Sequence, residues 1–551
     1  MGAPPSKLLA DVVPVNSMSP SFPGSHEATY CLCTSGGGCR AFTHTLGVYR
    51  ALHHMGVMGK LDAISSVSGG TWASSVYMFG KEFHGKPIDT ERMLGDPTTP
   101  SELTLAKLRE EVAPFAWGLA HENAQGRVQE FVGRVSDKDM WKRAVSKLVL
   151  EPFGLGNMDS YMAQNAVDVE RIKAENPGLK DAVFQTPRAD RPPLFVMNGA
   201  LLAPTGYKVD EDNIVSFQMS PDYTGSPFFP MDCELGYSLA PLCLRPWPCR
   251  CALKTTVGGG MVETFAFGGT APEGGVPGTQ GKLPVGAPSK PFSLTTAVAI
   301  SSFAPAVFAA YSYFTACTFN IHGQYWPVAG GKRPAGAKAR EFQFGDGGNL
   351  DNSGLLPLLQ RQAKNVIWIA SSSDPLSQTY DFENATQHDF DPVVAGVVGQ
   401  LYSAFGYAQR DPWGCYYGNN QVFKKSALLG VVQKLAKLKA EGRPSVIKEK
   451  LEVIPNYFWG IVGGYEINLV LIYLDVSMGF QQQLPEETQQ EIAKGDEGTF
   501  ANFPVYDTTN NNASLTLGLT GPQVNLLAAQ GEYAVRQNAD LIKELMGKRL
   551  S

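Results

Sequence analysis

The chain has 551 residues, 43% of them hydrophobic and 18% charged, ample apolar material for a core and too little charge for a wholly disordered polymer. Its 46 Lys and Arg against 52 Asp and Glu give a formal charge of −6, with no basic stripe to neutralise a row of phosphates, so nucleic acid is excluded as the expected partner. The most apolar stretches, Leu294–Phe314 and Ile467–Leu474, are interrupted by Ser301, Ser302 and Pro305 or too short to cross a ~30 Å hydrocarbon layer, and no transmembrane helix is predicted.

Residues 1–26, rich in Pro and Ser, read as a flexible tail. The opening MGAPPSKLLADVVPV has neither the basic and apolar regions of a secretory signal nor an Arg-rich transit character, which predicts a cytoplasmic chain. Met1-Gly2-Ala3-Pro4-Pro5-Ser6 also fits the N-myristoylation frame through Gly2. The cysteine count is 9, an odd number, and fits reduced thiols better than a disulfide frame. Cys243, Cys249 and Cys251 come closest to a metal-binding group, but their spacing does not match the paired knuckles of structural zinc. No metal and no cofactor are predicted.

Thr29–Cys33 is a short β-prone run ending in Ser35-Gly36-Gly37-Gly38, and from Arg40 the apolar residues Phe42, Leu46, Tyr49 and Leu52 recur at helical period. Leu61–Ser66 is a second strand, followed by Val67-Ser68-Gly69-Gly70 and a helix-like Thr71–Met78. Strand, loop and helix twice over predict an α/β fold with a central, mostly parallel sheet flanked by helices. Residues 85–190 are charged and helix-prone, a candidate cap or lid over the sheet, and residues 203–290 are a loop-rich excursion. Leu194–Met197, Phe342–Phe344, Val366–Ala370 and Ile467–Leu474 are further strands, and Val524–Met546 is a closing helix. Together residues 27–551 read as one catalytic domain.

Ser68 stands in Ser66-Val67-Ser68-Gly69-Gly70, a variant of the nucleophile elbow with serine for the first glycine. Such an elbow needs small residues on both sides because the strand-to-helix turn is too tight for bulk, and the N-terminus of the following helix favours a serine oxyanion. Three consecutive glycines, Gly36 to Gly38, expose backbone N–H groups able to hold an oxyanion, each such donor being worth roughly 2.7–4 kcal/mol in the transition state. Arg40, at the start of the helix, is placed to reach a phosphate. Gly36, Gly38 and Ala41 also satisfy a dinucleotide fingerprint, but its acidic residue belongs at the end of the second strand, and Asp62 lies at the beginning.

Asp346, flanked by Gly345, Gly347 and Gly348, is the candidate base. Asp346, Asp351 and Asn352 are oxygen ligands but lack the frame of a calcium loop. A triad would need a histidine. His388 follows Asp346 but lacks a strand-then-loop setting, and His322 precedes it, so a Ser–Asp pair is the simpler arrangement. It requires Asp346 to be desolvated and bonded directly to Ser68, because an exposed Asp near pKa ~3.9 is a feeble base.

Three blocks, Ser35-Gly36-Gly37-Gly38-Cys39-Arg40-Ala41, Val67-Ser68-Gly69-Gly70-Thr71-Trp72, and Asp346-Gly347-Gly348 with Asn352-Ser353-Gly354-Leu355-Leu356-Pro357-Leu358, resemble in kind and order the cytosolic phospholipase A2 family and, more distantly, patatin-like lipid acyl hydrolases. Softer echoes are Phe217–Pro221, Ile300–Pro305 and the stretch from Phe503-Pro504, so the likeness runs from about residue 28 to the end. The resemblance implies a Ser68–Asp346 dyad working through an acyl-serine, with Gly37 and Gly38 as oxyanion donors and Arg40 at the substrate phosphate. It also implies a phospholipid or lysophospholipid substrate met at a membrane surface, and a neutral-lipid lipase, an acyltransferase or a non-catalytic lipid-binding relative would share the frame. Ser66 and Gly70 depart from the family pattern. The 26 residues before the first strand leave no room for a C2 module, and Phe115 and Trp117 are candidate lid aromatics.

Overall fold

The computed structural model describes residues 6–15, 22, 28–120, 139–207, 209, 211, 213–228, 231–235, 253–273, 275–276, 278–310, 320–326, 328, 339–407, 415–507 and 518–550. Thirteen strands build one sheet: β1 (Lys7–Pro14), β2 (Tyr30–Thr34), β3 (Ala63–Val67), β4 (Leu194–Pro204), β5 (Val215–Met219), β6 (Tyr223–Ser226), β7 (Gly260–Glu263), β8 (Gly281–Gly286), β9 (Ile321–Tyr325), β10 (Arg340–Asp346), β11 (Asn365–Ala370), β12 (Val446–Val453) and β13 (Tyr465–Tyr473). Their order is β8-β1-β7-β6-β5-β4-β3-β2-β11-β13-β12, with the β9–β10 hairpin joined to β4.

The sheet is mixed, not mostly parallel. Parallel pairing is confined to the centre, β4-β3-β2-β11-β13, whereas the ladders on both flanks are antiparallel. The reason is connection length. β2 and β3 are joined through a helix, which returns the chain to run parallel, but β5 and β6 are separated by a three-residue turn that can only form a hairpin. The Gly- and Pro-rich segment expected to be an excursion therefore supplies β5 to β8. The central strands are buried along almost their whole length, as parallel strands covered on both faces must be.

The expected tail also enters the sheet. Lys7–Pro14 is β1, paired with β7 and β8, because the branched run Leu8 to Val13 buries its apolar side chains there; the neighbouring prolines and serines obscured it. Helices α1 (Gly38–His54), α2 (Gly69–Phe79), α3 (Leu294–Ser301) and α4 (Gly521–Gln537) surround the parallel core. The expected closing helix starts at a Thr520–Gln523 capping box and breaks at Asn538.

Within residues 85–190 the described residues form short helical turns, one ten-residue helix, Ala166–Glu175, and a two-stranded pairing of Tyr161–Met162 with Phe184–Gln185. Phe115 is buried, its ring 5.0 Å from that of Phe42 on α1, and Trp117 packs against Phe83 and His84. Trp141 anchors this region to α3, its Nε1–H donating to the carbonyl of Ala299 at 3.1 Å. Cys243, Cys249 and Cys251 lie outside the described residues, as does Gly2. No described helix is long and apolar enough to cross a membrane.

Candidate active site

Ser68 follows β3 directly and caps α2, with φ 51° and ψ −122°. This backbone is strained for a residue with a Cβ, and the surroundings hold it there. Its N–H donates to the carbonyl and Oγ of Ser301 at 3.0 and 3.2 Å. Its carbonyl accepts from Thr71 and Trp72 at 2.8 and 3.1 Å. A Cβ on Gly69 would stand 2.0 Å from the carbonyl oxygen of Gly38, and one on Gly70 2.6 Å from that of Ser35. The two glycines after Ser68 are thus what lets the starts of α1 and α2 touch. Ser66, the departure from the elbow pattern, fits because its Oγ shares a hydrogen bond with Thr71 Oγ1 at 3.0 Å.

Asp346 ends β10. Along one edge of β4, Val67 of β3 pairs with Asn198, and Asp346 of β10, running the opposite way, pairs with Gly199. The two strands meet head to head, which brings the serine and the carboxylate together. The Ser68 hydroxyl faces the Asp346 carboxylate closely enough to favour its charged form, and the Gly348 N–H donates to Asp346 Oδ1 at 2.7 Å. Asp346 is 3% exposed and Ser68 9%. Burial raises the Asp346 pKa to about 7 against the opposing pull of the Gly348 N–H and the Ser68 hydroxyl. A carboxylate desolvated to this degree is matched to accepting a proton near neutral pH.

The glycine turn lies against the serine. A Cβ on Gly36 would stand 2.9 Å from Ser68 Cβ and 2.1 Å from Asn352 Oδ1. Gly37 and Gly38 have φ 132° and 56°, backbone open to glycine and costly to other residues. Gly36 N–H donates to the Asn352 carbonyl at 3.2 Å, while the N–H groups of Gly37 and Gly38 donate to nothing among the described residues. Two bare amides at the start of a helix beside a serine form a place for negative charge.

Arg40 is buried, 5% exposed, not the surface arginine that a simple ion pair would make of it. Its Nη1 donates to the carbonyl of Tyr506 at 2.7 Å, Nε has no partner among the described residues, and Nη2 lies close to Gly37. Desolvation lowers its pKa, with Asp374 and Asp507 among the negative groups opposing. Neither alternative base joins the site: His388 is exposed on a surface turn, and His322 lies in β9 opposite Gln343, hydrogen-bonding range from Thr205. Asp62 is structural, accepting from the N–H groups of Thr29 and Tyr30 and pairing with Arg549. Asp351 is buried and held by Ser353; no His, Cys, Asp and Glu group among the described residues could hold a metal ion.

Residues that composition and spacing did not single out complete the frame. Ser301 holds the Ser68 N–H and donates to the Asn198 carbonyl at 2.7 Å, and the Phe303 carbonyl accepts from the Asp346 N–H at 3.3 Å. One short segment at the end of α3 therefore fixes both Ser68 and Asp346. The Ile300–Pro305 echo was its only signal in the sequence.

No family model matches this chain, and no curated protein does. Among solved structures it is similar to human GIVD cytosolic phospholipase A2 at 13% identity and a TM-score of 0.45, over 95% of this chain and 60% of that one. The same human enzyme in complex with methyl gamma-linolenyl fluorophosphonate and terbium chloride aligns at 13% identity and a TM-score of 0.39, over 95% and 60%. Its complex with methyl gamma-linolenyl fluorophosphonate aligns at 12% identity and a TM-score of 0.37, over 95% and 59%. The chain thus spans about 60% of the length of the structures it matches.

Proposed function

We propose that the protein is a serine lipid acyl hydrolase of phospholipase A2 or lysophospholipase type. The observation that carries this reading is the juxtaposition of Ser68 and Asp346: a serine in a strained elbow, facing a buried carboxylate whose pKa is raised to about 7. Ser68 Oγ attacks the acyl carbonyl carbon as its proton passes to Asp346. The oxyanion is met by the Gly37 and Gly38 amides and the positive ends of α1 and α2. On collapse the ester C–O bond breaks, Asp346 protonates the departing alcohol, and an acyl-serine remains. Water then attacks that ester while Asp346 takes its proton, releasing the fatty acid and restoring Ser68.

The glycerophospholipid substrate, met at a membrane surface, rests on the motif resemblance and on Arg40 as the phosphate contact. A second reading, a neutral-lipid lipase or acyltransferase on the same pair, is favoured by one observation: Arg40 already donates to the Tyr506 carbonyl from a buried position. The deciding experiment for the chemistry is labelling of purified protein by an alkyl fluorophosphonate alongside phosphatidylcholine hydrolysis. Both activities are expected in the wild type and lost in Ser68→Ala and Asp346→Asn; an Asp346→Asn enzyme of unchanged rate overturns the dyad.

A further inference from the structure

We propose that His44 is a positioning residue for the glycine turn, acting through Ser371. β2 and β11 are neighbouring parallel strands whose ladder ends at Thr34 and Ile369. The glycines begin just past that point, where the sheet no longer holds the chain. Three hydrogen bonds take over. The Ser35 N–H donates to the Ile369 carbonyl at 3.0 Å, the Ser371 N–H donates to Ser35 Oγ at 2.9 Å, and Ser371 Oγ shares a hydrogen bond with His44 Nδ1 at 3.0 Å.

His44 lies on α1, on the far side of the glycines from Ser35. Ser371 therefore closes strand, turn and helix into a ring around Gly36 to Gly38, in which Gly36 is held by the Asn352 carbonyl and the N–H groups of Gly37 and Gly38 donate to nothing among the described residues. The carbonyl oxygen of Ser371 is 3.6 Å from where a Cβ on Gly37 would stand, so displacement of Ser371 is passed to one of the two bare amides. Ser35, Ser371 and His44 are all at most 2% exposed, and loss of one polar partner there leaves another without one.

The fold makes room for this imidazole. A Cβ on Gly531 of α4 would stand 3.0 Å from His44 Cδ2 and 2.9 Å from its carbonyl oxygen. Arg40 and His44, four residues apart on α1, share a helix face. Burial first, and the Arg40 charge second, lower the His44 pKa to about 3, so the ring is neutral at any working pH and is not itself a base for the reaction.

This inference rests on the hydrolase reading, and the full-length protein tests both. The variants are His44→Leu, His44→Gln, Ser371→Ala and the double His44→Leu/Ser371→Ala. The readouts are p-nitrophenyl butyrate turnover, the rate and final extent of Ser68 labelling by an alkyl fluorophosphonate, and thermal melting. His44→Leu and Ser371→Ala are expected to lower kcat and labelling rate by about tenfold or more, with KM within about twofold and full labelling at the end point. The double variant is expected to be no slower than the worse single, and His44→Gln, which keeps a hydrogen-bonding group, to recover part of the rate. Variants that melt earlier but label and turn over at the wild-type rate overturn the positioning role alone. A wild type without Ser68-dependent labelling overturns the hydrolase reading and this inference with it. Should His44→Leu fail to fold, Ser371→Ala and His44→Gln decide the matter by the same readouts.

Discussion

Val67 and Asp346 sit opposite consecutive residues of one strand, Asn198 and Gly199, although they belong to strands running in opposite directions. β3 and β10 thus share one edge of β4 end to end, and the residue after one strand meets the last residue of the other. The juxtaposition is set by backbone register, which moves in steps of about 3.3 Å and reverses a side chain's face with each step. That makes the geometry of the pair difficult to perturb except by changing its immediate packing or its charge.

The activity should follow the titration of Asp346. With its pKa raised by burial to about 7, the base is protonated in acid, so kcat/KM for p-nitrophenyl butyrate is expected to rise about tenfold per pH unit below 7 and level off above it. A pH–rate profile with its midpoint near 4 would mean that the carboxylate is solvated in the free enzyme.

Stability should carry the same signature with the opposite sign. Folded Asp346 titrates near 7, and its ordinary value is 3.8, so between these limits the folded state holds a proton that the unfolded chain has released. Stability from this group is fully present below 3.8 and is lost as pH rises through 7. Asp346→Asn removes the effect. Its stability relative to wild type is expected to improve from pH 4 to pH 8 by a few kcal/mol, about 4 at most. Urea unfolding at the two pH values measures this; a pH-independent difference would refute it.

Gly69→Ala should disable the elbow. The added Cβ would meet the Gly38 carbonyl oxygen at 2.0 Å, a backbone atom that cannot swing aside, so the starts of α1 and α2 must separate. The expected result is a loss of about 1–3 kcal/mol of stability and a slowing of Ser68 labelling by about a hundredfold. Gly56→Ala is the control: its φ is 72° but nothing lies within 4 Å of the new Cβ. It is expected to cost about 1 kcal/mol and to leave the labelling rate unchanged.

Arg40→Ala separates the two substrate readings. If the guanidinium contacts a phosphate, kcat/KM is expected to fall at least about tenfold more for lysophosphatidylcholine than for a monoacylglycerol of the same chain, the scale of a charge-assisted hydrogen bond. Equal losses on both substrates would assign Arg40 to holding the Tyr506 carbonyl and would favour the neutral-lipid reading.

Local sequence determined the parts of this protein whose causes are local. Small residues around Ser68 and Asp346 mark tight turns, Gly36 to Gly38 mark backbone without side chains, and helical period marks α1 and α2, because each depends on sterics within a few positions. The flanks of the sheet were not legible in the same way. Lys7–Pro14 and the strands between residues 215 and 286 are identified by pairing with distant chain, and their prolines and glycines mimic loops.

Only the tertiary structure decided that β3 and β10 end at adjacent residues of β4, that Ser301 and Phe303 brace Ser68 and Asp346, and that His44 reaches Ser371 across the glycine turn. Register, burial and the raised pKa of Asp346 are properties of surroundings assembled from remote segments. The types and local spacing of its residues therefore specified the candidate groups, while long-range packing specified their juxtaposition and their desolvation.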